Sequence, residues 1–241
     1  MMAVILAGGK GTRLKPFTMA IPKPLLPLGD VPILEVVLRQ LQLAGFKRIV
    51  ITLGHMAPIF QAHLGDGKRF GIEIAYVIEE EPLGTAGPLR LIRDLEEDFL
   101  VMNGDLLTTI DFGALFAFHR RHKAWGTISL QKREVRIDYG VVRCNDEGRL
   151  SEYSEKPTIP YEVSMGINVL SRKCLDSIPA SGKYDMPQLM LSMHQAGQRV
   201  MCYRPDCYWK DIGRFDDYQE ASADFDSHPE RFLSPPAAAR P

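Results

Sequence analysis

The sequence predicts an α/β fold, and three observations carry that reading. Short apolar runs alternate with longer amphipathic stretches through the first half, the pattern of parallel strands covered by helices. Those runs are continuously apolar, as strands covered on both faces are. After about residue 124 the texture shifts to shorter, more mixed runs, which predicts a second lobe of sheet closing over the first.

Taken in order, the first strand is expected at Ala3 to Leu6, ending in glycines. A helix follows over Pro32 to Ala44, where Ile33, Leu34, Val37, Leu38 and Leu41 share a face, Pro32 suits the first turn and Gly45 the stop. Strands are expected at Arg48 to Leu53, Ile72 to Ile78 and Phe99 to Met102. A helix over Phe112 to His122 turns Phe112, Leu115, Phe116 and Phe118 inward and leaves His119 and His122 on the surface. Met186, Met190 and Met193 recur at helical spacing as packing residues. Thr127 to Leu130, Tyr139 to Val142 and Gly166 to Leu170 supply the second lobe. Residues 1–225 read as one domain, and 226–241, with four prolines and little periodicity, as a mobile tail.

Composition narrows the function. The 241 residues are 45% hydrophobic, ample for a core, and the net charge of −1 offers no field for nucleic acid or an anionic membrane. Any phosphate binding is therefore local. Cys144, Cys174, Cys202 and Cys207 form no C-x-x-C pair and have no histidine at metal-ligand spacing, as buried thiols in a reducing cytoplasm would. The apolar run at the N-terminus is too short for a signal peptide or a membrane span, so the expected location is cytoplasmic.

In open α/β sheets ligands sit beyond the carboxyl ends of the strands. The first strand ends in Leu6-Ala7-Gly8-Gly9-Lys10-Gly11-Thr12-Arg13-Leu14, a loop whose glycines let backbone N–H groups converge on an anion. It is not a Walker A loop, because Gly11 follows Lys10 where Ser or Thr is needed. Nor is it the dinucleotide fingerprint, because Leu14 replaces the third glycine.

The larger pattern is more specific. This loop, then Lys23-Pro24, Glu81-Pro82-Leu83-Gly84-Thr85-Ala86-Gly87, Asn103-Gly104-Asp105, Tyr139-Gly140-Val141-Val142, Glu155-Lys156-Pro157 and Trp209-Lys210-Asp211-Ile212-Gly213 occur in an order that resembles the sugar-1-phosphate nucleotidyltransferases. The resemblance spans residues 2 to about 225 and is nearest to the GDP-mannose pyrophosphorylases. It implies a Rossmann-like, mainly parallel sheet flanked by helices, with a smaller sugar-binding lobe. It also implies a nucleoside triphosphate and a sugar 1-phosphate as substrates, with NDP-sugar and pyrophosphate as products.

Residue by residue, the resemblance makes Arg13 and Lys23 the catalytic cations, on the triphosphate and the α-phosphoryl oxygens respectively. Leu6, Ala7, Gly8, Gly9, Gly11, Thr12, Glu79, Gly84 and Thr85 would bind the nucleotide, and Gly140, Glu155, Lys156 and Ser164 the sugar phosphate. Asp105 and Asp211 would hold Mg²⁺, with Trp209 in support. Two anionic substrates repel, so cations against the phosphoryl oxygens are what the reaction needs.

Base choice turns on Glu79. Uridylyl and thymidylyl relatives often place Gln there, which can both accept from N3–H and donate to a pyrimidine carbonyl. A carboxylate only accepts, and guanine offers adjacent donors, so GTP is favoured. Ser164-Met165-Gly166 departs from the Asn-Ala-Gly of many relatives, which puts that asparagine's contact to the sugar in question. The other readings are a uridylyl- or thymidylyltransferase, and a regulatory subunit that binds sugar nucleotides without catalysis. A homo-oligomer is an expectation from symmetry alone.

Overall fold

The computed structural model describes residues 1–234. Its strands are β1 (Met2–Leu6), β2 (Pro27–Leu28), β3 (Val31–Pro32), β4 (Arg48–Leu53), β5 (Glu73–Ile78), β6 (Asp98–Asn103), β7 (Leu106–Thr108), β8 (Gly126–Arg136), β9 (Val141–Cys144), β10 (Leu150–Ser154), β11 (Thr158–Ser171), β12 (Val200–Tyr203) and β13 (Trp209–Asp211). The α-helices are α1 (Ile33–Leu43), α2 (Ala57–Leu64), α3 (Phe112–Arg121), α4 (Met186–Gln195), α5 (Phe215–Ser227) and α6 (Pro229–Leu233). A mixed seven-stranded sheet runs in the order β12-β8-β11-β6-β1-β4-β5. The expected α/β architecture is thus the observed one.

The sheet aligns the ends that matter. β1 pairs in parallel with β4 and β6, and its last residue, Leu6, stands opposite Thr52 and Asn103. The chain therefore leaves three neighbouring strands at one edge. Successive β1 side chains point to opposite faces. Ala3 and Ile5 pack with α1, α2 and α3, while Met2 and Val4 pack with α4. A third apolar cluster joins Leu14, Leu107 and Ile212 to Phe225 and Phe232 of the last two helices.

The second lobe grows out of the same sheet. β8 and β11 pair antiparallel from Arg136–Thr158 onward, with the register shifting between Ser164 and Asn168 where they rejoin the main sheet. Between them β9 and β10 form a separate hairpin.

Several expectations need correction. His119 is not on the surface but 1% exposed, with Nδ1 2.8 Å from Thr127 Oγ1 and Nε2 3.5 Å from Asp98. The inward stripe is Phe112, Leu115, Phe116 and His119, the i, i+3, i+4, i+7 series. Phe118 falls to its edge, against His122 and Tyr203. Of the four thiols only Cys174 is buried, whereas Cys144 and Cys202 are exposed. The tail expected from 226 instead begins as helix, and Phe232 is 1% exposed. Residues 235–241 lie outside the described residues. No helix among the described residues is long and apolar enough to cross a membrane.

Candidate active site

The glycine loop leaves β1 at the aligned strand ends. Ala7 N–H donates to Thr52 O, and Gly104 N–H donates to Leu6 O, which stitches the loop's root to β4 and to the turn after β6. Beyond that root the N–H groups of Gly8, Gly9, Lys10 and Gly11 have no hydrogen-bond acceptor among the described residues. Such a run of free donors is a cradle for an anion. Leu14, buried in the third apolar cluster, pins the loop's far end, leaving Arg13 exposed above it beside Gly213.

A cavity of about 750 Å³ opens over this loop. Leu6, Ala7, Gly8, Gly9, Gly11, Thr12, Arg13, Lys23, Glu79, Gly84, Thr85 and Asp105 all line it, so the structure brings together every residue expected to bind nucleotide. Thr52, Gly54, His55, Lys183 and Asp185 line it as well and were not singled out from sequence.

Asp185 is the most informative of these. It caps α4, its Oδ1 accepts from Thr85 N–H at 3.0 Å, and Thr85 Oγ1 accepts from Met186 N–H at 2.7 Å. Gly84 fits only as glycine, since its φ is +84° and a Cβ would lie 2.6 Å from Asp185 Oδ1. The Asp-Met-Pro start of a helix was a legible cap signal, but nothing in the sequence paired it with Thr85.

Glu79 follows β5. Its Oε2 accepts from Leu83 N–H at 3.0 Å, closing the 79–83 turn, and its Oε1 lies beside Gly8. Burial raises its carboxyl above the usual range, and the Leu83 hydrogen bond offsets part of that rise. One oxygen is thus already engaged by the backbone.

Asp105 and Asp211 come together although they lie far apart in sequence. β13 pairs antiparallel with β7, placing Asp211 opposite Leu106, and Ile212 N–H donates to Asp105 O at 3.1 Å. Lys23, only 8% exposed, makes a close ion pair with Asp105 and stands 3.9 Å from Asp211. Burial and the Asp105 charge push the Asp211 carboxyl up, while Lys23 and Arg13 pull it down. Trp209, two residues before Asp211 on β13, donates from Nε1 to Met165 O at 2.9 Å and ties this strand to β11.

A second cavity, about 670 Å³, shares Leu6, Thr85 and Asn103 with the first and is lined by Ser164 and Asp211. Gly140, Glu155 and Lys156 line neither cavity. They sit together in the lobe, where a Cβ on Gly140 would lie 3.1 Å from Glu155 Oε2 and 2.5 Å from the Tyr153 hydroxyl. Lys156 has φ +45°, a conformation that non-glycine residues hold mainly where function or packing demands it.

A family model described as nucleotidyl transferase matches residues 2–228. The chain belongs to the nucleotidyl transferase family. Among its relatives are a UTP–glucose-1-phosphate uridylyltransferase from Synechocystis sp. and a mannose-1-phosphate guanylyltransferase from Mycobacterium tuberculosis, each 33% identical over 92% of this chain. A mannose-1-phosphate guanyltransferase from Schizosaccharomyces pombe is 35% identical over 90%. The chain spans 62%, 64% and 62% of these three relatives' own lengths. Among solved structures, HddC from Yersinia pseudotuberculosis superposes with a TM-score of 0.70 at 25% identity, covering 93% of this chain and 99% of that one. This nucleotidyl transferase therefore shares both the family's sequence pattern and its fold.

Proposed function

We propose that this chain transfers a nucleotidyl group from a nucleoside triphosphate, GTP being favoured, to mannose 1-phosphate or a related hexose or heptose phosphate. The products are an NDP-sugar and pyrophosphate. One observation carries the reading: Lys23 bridges Asp105 and Asp211 where a glycine-loop cavity adjoins a second cavity. Two substrates held in adjoining cavities meet at one charged cluster, so a bimolecular attack becomes a local one.

Each side chain has a distinct task. The free N–H groups of the loop and Arg13 hold the triphosphate and the departing pyrophosphate, and Lys23 draws charge from the α-phosphoryl oxygens. The sugar-phosphate oxygen attacks the α-phosphorus in line, and the bond to pyrophosphate breaks with no covalent enzyme intermediate. Glu155 and Lys156, with Gly140 beside them, take the sugar and its phosphate from the lobe, and Ser164 takes a ring hydroxyl from the second cavity's wall.

The donor set at this cluster fits Mg²⁺. Among the described residues no group of three His, Cys, Asp or Glu could hold a cation unaided. Two carboxylates that leave the remaining positions to phosphate oxygens and water are what Mg²⁺ takes at such sites. Asp105 and Asp211 would hold it there, where it neutralises charge on the phosphoryl oxygens.

Glu79 supports the choice of GTP, as does a further structure of HddC complexed with GMP-PN, at TM-score 0.68. The Synechocystis relative favours a second reading, transfer from UTP. Pyrophosphate release, measured with each common nucleoside triphosphate against a panel of sugar 1-phosphates, with Mg²⁺ and with chelator, separates them. Metal-dependent release with one pair names both substrates; binding without release from any pair points to the regulatory reading.

A further inference from the structure

We propose that Thr52 reads the nucleotide base: its hydroxyl donates to the keto oxygen beside the ring N–H that Glu79 accepts. The inference rests on the nucleotidyltransferase reading above and adds a specificity residue to it. Thr52 is the one polar side chain in the run Ile49-Val50-Ile51-Thr52-Leu53 of β4. Alternation puts it on the face of Val50, away from Ile51 and Leu53. There it lines the nucleotide cavity at 1% exposure. Its hydroxyl pairs with no described residue, yet it is not among the unpaired polar atoms sealed from solvent, so part of the little surface that Thr52 keeps is the hydroxyl's. Buried polar groups are almost always paired, and one left free at the floor of a cavity calls for a partner from the ligand.

The sheet selects which part of the ligand that is. Strands β6, β1, β4 and β5 lie side by side, with Asn103, Leu6 and Thr52 opposite one another across the first three. Asn103 and Leu6 line both cavities, where the two substrates meet. Thr52 lines only the nucleotide cavity, one strand or about 4.8 Å farther out. Glu79 follows β5, the next strand, with its N–H donating to Leu53 O and its Oε1 beside Gly8. With the phosphates at Lys23 and the glycine loop, the part of the nucleotide that reaches Thr52 and Glu79 is the base. Glu79 Oε2 is taken by Leu83 N–H, which leaves Oε1 to accept a ring N–H from the ligand. In guanine, uracil and thymine that N–H adjoins a keto oxygen, which needs a donor, and the Thr52 hydroxyl on the neighbouring strand supplies one. Adenine and cytosine carry an amino group there and no ring N–H, so they would turn a lone pair toward the carboxylate.

The test measures kcat/KM from pyrophosphate release, with Mg²⁺ and the preferred sugar 1-phosphate, for GTP, UTP, dTTP, ATP and CTP. It adds the thioketo analogue of the preferred donor, 6-thio-GTP for GTP or the 4-thio analogue for UTP or dTTP, whose sulfur accepts hydrogen bonds more weakly than oxygen. Thr52→Val keeps the shape of the side chain and should lower kcat/KM for the preferred triphosphate by about tenfold. It should also reduce the preference over the thioketo analogue. The melting temperature of the free protein should hold or rise, because the hydroxyl removed has no partner there. Thr52→Ser keeps the hydroxyl and should keep the preference. A preference unmoved by Thr52→Val, a lower melting temperature for that variant, or ATP or CTP as the favoured donor overturns the inference and leaves the nucleotidyltransferase reading intact. No release from any pair overturns both.

Discussion

Asp105 and Asp211 are the residues whose chemistry is most exposed to test. Asp105→Asn keeps the shape of the side chain and removes a charge, so turnover at saturating Mg²⁺ should fall by roughly 10²–10³-fold with the fold retained. Unchanged kcat would remove Asp105 from the cation site. Asp211 carries a stability signature as well. Its carboxyl titrates above the ordinary aspartate value because of burial and the neighbouring Asp105 charge. A carboxyl with a raised folded-state value favours the native state when protonated, and that contribution is lost as pH rises through the raised value. Asp211→Asn should therefore raise the melting temperature near neutral pH while abolishing turnover, the gain shrinking as pH falls through the carboxylate range. Thermal melts of both proteins across that range decide it, and a lower melting point for the variant at neutral pH counts against the assignment. For Glu79→Gln the readout is the ratio of kcat/KM for GTP to that for UTP or dTTP, which should drop if the carboxylate reads guanine. An unmoved ratio would confine Glu79 to closing the turn at Leu83.

At the scale of elements, the start of α4 and the 84–87 turn act as one unit through Thr85 and Asp185. Asp185→Ala removes a helix cap and the acceptor for Thr85 N–H together, so about 1–2 kcal/mol of stability should go. KM for the triphosphate should rise with it. Denaturant titration and initial rates check the two effects separately. α3 supplies a pH dependence. Burial lowers the His119 value below the ordinary histidine range despite the pull of Asp98. The contribution of a group lowered in this way is present above its unfolded value and is lost as pH falls through its folded one. The denaturation midpoint should drop as pH falls below about 6.5, the unperturbed histidine value, and His119→Gln should flatten that slope. What was legible in the sequence follows from the same comparison. The strands were readable because doubly covered strands are apolar throughout, and the loop, Asp105 and Asp211 because each stands in a local motif. Asp185 was not, since it acts through a partner 100 residues away. His119 was misplaced because a polar residue on an apolar stripe reads as its edge until Thr127 and Asp98 are seen to receive it.

Across the whole molecule, the third apolar cluster links the chain's end to its chemistry. Phe232 packs within reach of Tyr208 and Phe225, and Gln40 Nε2 of α1 donates both to Phe232 O and to Thr108 O of β7. Phe232→Ala should lower stability by about 3–5 kcal/mol, the range for a buried phenylalanine. It should also reduce kcat, because Leu14, Leu107 and Ile212 of the same cluster seat Arg13, Asp105 and Asp211. A variant that melts earlier yet keeps full turnover below its transition would show that the seating survives without the last helix.

The ion pairs of Lys23 have a consequence for how the site fills. At rest Lys23 sets one positive charge against the two carboxylates, closely paired with Asp105 and 3.9 Å from Asp211, so their charge is offset only in part. On the proposed reading, a divalent cation held by Asp105 and Asp211 would compete with Lys23 for them, and a triphosphate arriving alone would face two carboxylates against one lysine. Bound together, the two would leave Lys23 free to exchange a carboxylate for the phosphoryl oxygens. The resting site is in this sense a lock with two keys, poorly filled by either and well filled by the pair.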